Sequence, residues 1–188
     1  GAQVINGNHY YFNNDYSQVK GAWANGRYYD GDSGQAVTNR FVQVGANKWA
    51  YLNQNGQKVV GLQHINGKLY YFEGNGVQAK GKLLTYKGKK YYFDANSGEA
   101  VTNRFIQISR GVWYYFNASG QAVTGEQVIN GQHLYFDYEG KQVKGDFVTD
   151  YKGTRYYDDN SGELVTNQTR TINGVTYHFD ENGRAKQL

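Results

Sequence analysis

Tyrosine is the residue through which this chain could do chemistry: it supplies 19 of the 188 residues, against 9 Phe and 3 Trp. The rings recur in runs about twenty residues apart, at Tyr10-Tyr11-Phe12, Tyr28-Tyr29-Asp30, Trp49-Ala50-Tyr51-Leu52, Tyr70-Tyr71-Phe72 and Tyr91-Tyr92-Phe93. Four more follow at Trp113-Tyr114-Tyr115-Phe116, Leu134-Tyr135-Phe136, Tyr156-Tyr157-Asp158 and Tyr177-His178-Phe179. The second aromatic place holds Tyr11, Tyr29, Tyr51, Tyr71, Tyr92, Tyr115, Tyr135 and Tyr157, with His178 the sole departure. A place that keeps an amphipathic ring while its neighbours vary suits a stacking plane for a flat, weakly apolar ligand such as a sugar ring. The other reading is that these rings only seal one unit against the next. Either way, the array turns the same side chains outward repeatedly, which fits a repetitive ligand.

Other chemistries find little support. His9, His64, His133 and His178 are dispersed, without the paired spacing of a metal site or a catalytic triad. Asp30-Gly31-Asp32-Ser33-Gly34 and Asp158-Asp159-Asn160-Ser161-Gly162 have some calcium-loop character, but they lack a downstream Glu at loop spacing and sit where turns belong. Asp94 and Asp137 imitate an acid/base pair, yet every unit carries such a residue. Catalysis would single out one unit, so we expect no catalytic residue, metal or cofactor. The chain has no Cys, which removes disulfide frameworks and thiolate metal sites. Its net charge of +4 comes from Lys and Arg spread at repeat positions, not a block, which argues against nucleic acid as a partner. No stretch approaches membrane-span length, and no signal-peptide apolar region is present. Because Gly1-Ala2-Gln3 opens in mid-pattern, we expect a fragment of a larger protein.

The elements that must position these rings read as strands. Lys68-Leu69-Tyr70-Tyr71-Phe72 is a short aromatic run, followed by Glu73-Gly74-Asn75-Gly76 and an extended Val77-Gln78-Ala79-Lys80-Gly81. Such runs bounded by Asn/Gly clusters predict the two strands of a hairpin, here the run and its downstream tail. Alternation puts Tyr70 and Phe72 on one side and Leu69 and Tyr71 on the other. The Phe place is filled by Asp30 and Asp158 in the second and eighth units, which predicts a different burial there. With 25 Gly and no Pro, turns must rely on Gly at positive φ. No helix-period pattern appears, so the fold is expected to be all-β.

A longer period overlies the first. Gln3-Val4-Ile5-Asn6-Gly7, Gln63-His64-Ile65-Asn66-Gly67 and Gln127-Val128-Ile129-Asn130-Gly131 correspond. So do Ser33 to Phe41, Ser97 to Phe105 and Ser161 to Asn167. The nine units thus form three triplets, over about 1–60, 61–124 and 125–188, in a single repeat-array domain spanning 1–188.

The pattern Gly-x-x-Tyr-Tyr-Phe-x-x-x-Gly-x-x-Val-x-Gly, as in Gly67 to Gly81 and Gly88 to Val101, resembles the repeats of glucan-binding domains in bacterial glucansucrases. Related cell-wall and choline-binding repeats share the plan, and Gly111 to Gly125 is very similar to one. The resemblance covers essentially the whole chain. It implies a β-solenoid of stacked hairpins, roughly three per turn, in a non-catalytic module that binds α-glucan of dextran type. It implies a secreted or cell-wall-associated parent that polymerises glucose from sucrose, and no membrane insertion. We expect a monomer.

An α-glucan offers a weakly apolar pyranose face and a rim of hydroxyls, so recognition needs an aromatic plane with donors and acceptors beside it. On the resemblance, the units opening each triplet supply Gln3, Tyr11 and Lys20; Gln63, Tyr71 and Lys80; and Gln127, Tyr135 and Lys144. Gln donates and accepts, whereas Lys only donates. Arg27, Lys90 and Arg155 add donors just before the next Tyr pairs. Against a binding role, Gln43 and Gln107 occupy what reads as the same unit position outside these pockets, so the Gln could simply bond backbone; the Lys could be solvated edge charges. The alternative ligand is choline or another teichoic-acid group, for which 3 Trp is a thin supply of cage walls. A receptor-binding repeat or protein spacer, and a single-stranded nucleic-acid binder, are further alternatives.

Overall fold

The computed structural model describes residues 1–188 and contains strands and turns without a helix. In the first triplet β1 (Ala2–Ile5) pairs with β2 (Asn8–Tyr11), β3 (Ala22–Ala24) with β4 (Arg27–Tyr29), and β5 (Arg40–Gly45) with β6 (Lys48–Leu52). In the second, β7 (Gly61–Ile65) pairs with β8 (Lys68–Phe72), β9 (Lys82–Tyr86) with β10 (Lys89–Phe93), and β11 (Arg104–Ser109) with β12 (Val112–Phe116). In the third, β13 (Gly125–Ile129) pairs with β14 (Gln132–Phe136), β15 (Asp146–Asp150) with β16 (Gly153–Tyr157), and β17 (Gln168–Ile172) with β18 (Val175–Phe179) and β19 (Ala185–Gln187). These nine antiparallel hairpins are the repeats of a β-solenoid.

Six of the nine hairpins close where the sequence supplies two successive positive φ angles; the third, sixth and eighth have one, at Asn47, Gly111 and Gly153. Asn6-Gly7, Asn66-Gly67 and Asn130-Gly131 each have both, the signature of a two-residue I′ turn whose twist matches the flanking strands. The expected reliance on positive-φ Gly therefore holds. The strand partner differs from the sequence expectation, however. Each aromatic run pairs with the strand before it, and the downstream tail forms only a single bridge to its own run, as in Phe72↔Gln78. The cause is the second turn. A side chain caps it, Asp94 Oδ1 accepting from the Asn96 and Ser97 amides beside the backbone bonds of Gly98 N to Asp94 O and Asp94 N to Glu99 O, and the tail leaves the ladder after one bridge. Only in the last repeat does the tail extend the sheet, as β19 against β18.

Instead, each tail bonds two hairpins. Ala79 N donates to Tyr71 O of its own hairpin, while Gln78 N donates to Trp49 O of the preceding one. The same outward donation links Ala36 to His9, Ala100 to Leu69, Ala122 to Lys90, Gln142 to Trp113 and Leu164 to His133. Stacking is thus backbone-bonded as well as apolar.

Alternation sets the core. Tyr70 and Phe72 are buried while Leu69 and Tyr71 are half-buried, as the pleat requires. Phe72, Phe93, Phe116, Phe136 and Phe179 are fully buried, and Leu52 fills the same place. In the second and eighth repeats that place belongs to Tyr29 and Tyr157, each 1% exposed, and not to Asp30 and Asp158. The pairing proves the register: Tyr29 opposes Ala22 and bridges Ala36, as Phe72 opposes Gly61 and bridges Gln78. These repeats bury the face in the usual way, and their Asp cap the turn. The expectation of different burial there was an error of one residue, which in a strand exchanges the two faces.

The chain divides into two compact units, Gly1–Leu84 with Tyr92–Ala100, and Thr85–Tyr91 with Val101–Leu188.

Candidate functional site

The rings expected to form platforms fall into distinct classes. Tyr11, Tyr71 and Tyr135 are half-buried, each tilted against the buried ring of the following hairpin: Tyr29 at 6.1 Å, Phe93 at 5.9 Å and Tyr157 at 5.6 Å. They therefore seal hairpin junctions while keeping part of the ring accessible. Tyr29 and Tyr157 are core residues instead; burial, above all, pushes the Tyr157 phenol up to about 12.

Gln3, Gln63 and Gln127 oppose Tyr10, Tyr70 and Leu134. They therefore lie on the other face from Tyr11, Tyr71 and Tyr135 of their own hairpins, which the structure does not bring together with them. Gln63 faces the preceding hairpin, where it donates to Val60 O at 2.7 Å, and Gln127 donates to Thr124 O at 2.8 Å. The ring in reach of Gln63 is Tyr51: both line a groove of about 410 Å³, with Asn53, Asn55 and His64. Tyr51 packs on the cluster of Ile65, Tyr70 and Phe72, and Tyr115 packs likewise on Ile129, Leu134 and Phe136. Gln43 and Gln107 are not their counterparts. They oppose Trp49 and Trp113, three places before Leu52 and Phe116, and so stand exposed on the other face.

The three lysines have a common structural partner. Lys20, Lys80 and Lys144 donate to Asp32 O, Asn96 O and Asn160 O at 2.8, 2.8 and 3.1 Å, each a carbonyl in the next hairpin's turn. Gln18 and Gln78, two residues earlier, donate to Ser33 O and Ser97 O of those turns. The left-handed backbone of Gly98 (φ 72) demands Gly in this turn, and the Gln-x-Lys clamp adds to that demand: a Cβ there would stand 2.2 Å from Gln78 Nε2. Lys80 and Lys144 also lie over Trp49 and Trp113, at 5.9 and 5.7 Å from the ring centres. Lys90 donates to Glu139 O and lies 5.7 Å over Tyr114. Arg27 folds over Gly56, where a Cβ would come within 2.7 Å of Nη1.

Arg155 differs from all of these. It is 4% exposed, bound to Glu126 and to Asp150, and its Nε is buried without a partner. Burial opposes its charge most strongly, but the bond to Glu126 and the neighbouring Tyr157, Glu126 and Asp150 together outweigh that and raise its pKa; Lys152 and Arg155 together lower that of Glu126. The group borders a cleft of about 440 Å³ that also takes in His133, Glu163 and Arg184. A second hollow of about 310 Å³ shares Glu126, His133, Arg155 and Leu164, and adds Val128, Leu134 and Tyr157. Sequence reading found Gln127 and Arg155 here but missed the rest. The signal lay in departures between triplets: Glu126 stands where the others have Ala2 and Leu62, and Arg184 where they have Gln57 and Gln121.

A row of hairpins with half-exposed rings at its junctions, and no group of three His, Cys, Asp or Glu gathered for a metal, defines a repeat-built binding module. Two family models cover the chain in alternation. The choline-binding repeat matches residues 1–41, 59–105 and 123–168, and the putative cell wall binding repeat matches 39–58, 103–122 and 170–185. The chain belongs to the choline-binding repeat family. It is 49% identical over 98% of its length to Glucosyltransferase-S of Streptococcus mutans, and 47% identical over 97% to Glucosyltransferase-I of the same species. It spans only 13 and 14% of those proteins. Among solved structures, the choline-binding domain of CbpL from Streptococcus pneumoniae superposes with a TM-score of 0.79, 21% identity and coverage of 100% of this chain and 97% of that one. The modular autolysin LytC of the same species gives 0.80 at 21% identity, over 99% of this chain and 42% of its own. At that identity they share the fold.

Proposed function

We propose that this chain is a non-catalytic module that binds α-glucan chains of dextran type, in a larger glucosyltransferase that works outside the cell or at the wall. Its 1–188 span then acts as one repeat array. The contacts are placed at two sets of half-buried rings. Tyr11, Tyr71 and Tyr135 offer one; Tyr51 beside Gln63, and Tyr115 and Gln127 at the equivalent places of the next triplet, offer the other, with Gln3 open at the first repeat. Lys20, Lys80, Lys144, Lys90, Arg27 and Arg155 supply donors around them.

The observation that carries this reading against choline is the occupation of the aromatic faces by the chain's own cations. A quaternary ammonium is caged best by Trp, and Lys80 and Lys144 already stand over Trp49 and Trp113, two of the three Trp of the chain. A neutral sugar needs only part of a ring and a rim of donors and acceptors. The likeness to glucosyltransferases over nearly the whole chain supports the same ligand class. Electrophoresis through gels containing dextran tests it: the chain is retarded, and Tyr51→Ala and Tyr71→Ala lessen the retardation. Unchanged mobility of the unmodified chain at high dextran, or retention on a choline column with release by free choline, overturns the proposal.

A further inference from the structure

The cleft of the third triplet gathers two residues that the other triplets lack at the same places: Glu126, against Ala2 and Leu62, and Arg184, against Gln57 and Gln121. Where Gln121 donates to the Tyr91 hydroxyl in the second triplet, the third has Arg184 beside Arg155, whose backbones form a bridge. Arg184 Nε donates to Lys152 O, and Lys152 joins Arg155 on Glu126. Glu99 is paired with Lys68, but its counterpart Glu163 faces Gln132 at the corresponding place and has no ion pair. Glu163 and Glu181 thus bring exposed carboxylates to the cleft mouth.

Charge decides what such a cleft can take. Glu126, Glu163 and Glu181 are matched by Lys152, Arg155 and Arg184, so the lining is balanced. A phosphate would meet three carboxylates and an ammonium ion three cations. Adjacent hydroxyls, which both donate and accept, use both signs at once. Val128 and Leu164, backed by the buried Leu134 and Tyr157, give the adjoining hollow an apolar side, matching the apolar face of a pyranose.

We infer that this cleft, formed by the seventh to ninth hairpins, is a separate subsite for a glucosyl unit of a neutral glucan, held through paired hydroxyls by Glu163, Glu181 and Arg184. The inference rests on the glucan reading above and adds a site outside the ring-and-Gln repeats. His133 lines the cleft and His64 the groove of the earlier hairpins, so their ring proton resonances report the two places separately. Titration with isomaltotriose, and separately nigerotriose, at a fixed pH above the histidine range should shift the His133 signal saturably with at least one sugar. Glu163→Gln combined with Glu181→Gln, both exposed, should raise the sugar concentration at its midpoint about tenfold and leave His64 as it was. A His133 signal that neither sugar moves, in protein that dextran still retards, overturns the inference and leaves the wider reading standing. Loss of retardation as well removes both. A saturable His133 shift with inorganic phosphate or choline chloride in place of sugar overturns the neutral-ligand assignment.

Discussion

Asp30 and Asp158 occupy one place in two repeats and show how a single atom type sets conditions on the fold. Asp30 accepts the Ser33 and Asp32 amides, and those bonds, with the Ser33 hydroxyl and Arg40, hold its pKa down to about 2. Asp158 is lowered by Arg170 first and then by the Ser161 amide. Both folded values lie below the unfolded carboxyl value of about 3.9. Their stabilisation is therefore complete above that pH and is lost as pH falls through the folded values. Urea midpoints should drop steeply on acidification in that window. Asp30→Asn with Asp158→Asn keeps the turn bonds, which Asn53 and Asn117 make in equivalent turns, and should flatten the drop. An equally steep drop in the double variant would falsify this. Lys80 offers a second test at this scale. Its clamp bond predicts that Lys80→Ala costs about 1 kcal/mol in urea unfolding, and a sugar-donor role adds weaker dextran retardation of the folded variant.

Among the elements, the hairpin is held by its buried ring and the junction by its clamp. Phe72→Ala should cost about 3–5 kcal/mol, since the site is closed on all sides and leaves a cavity. Gly98→Ala should cost about 1–2 kcal/mol through its left-handed backbone and the displaced Gln78 amide; denaturation curves measure both. The strand content, the Asn-Gly turns and the burial of Tyr70 and Phe72 were legible from alternation and turn chemistry alone. The partner of each aromatic run was not. Both flanking turns are rich in Asn and Gly, and what separates them is paired positive φ in one and a side-chain cap in the other. The second and eighth repeats misled for a related reason: Tyr28-Tyr29-Asp30 looks like Tyr-Tyr-Phe with Asp substituted, whereas pairing shifts it by one. The unrecognised partner strand also hid that Gln63 and Tyr71 lie on opposite faces. The charged cleft escaped because reading by repeats rewards what recurs, and Glu126 and Arg184 matter by departing from the pattern.

For the whole molecule, many weak contacts on one polymer predict avidity. Dextran should compete for the chain at least about a hundredfold better, per binding unit, than isomaltotriose, as measured by competition on a dextran surface; equal potency would mean one working site. The tails that bond backward carry a different kind of consequence. The carbonyls of His9, Trp49, Leu69, Lys90, Trp113 and His133 find their donors in the following repeat, so these six repeats are not chemically complete until the successor has been made. On the ribosome the array closes from its N-terminal side, one step behind synthesis. In inheritance the same bond is indifferent to which successor provides it, because any tail brings the same backbone amide. Unequal recombination can therefore lengthen or shorten such a gene by whole repeats without stranding a carbonyl at the joint.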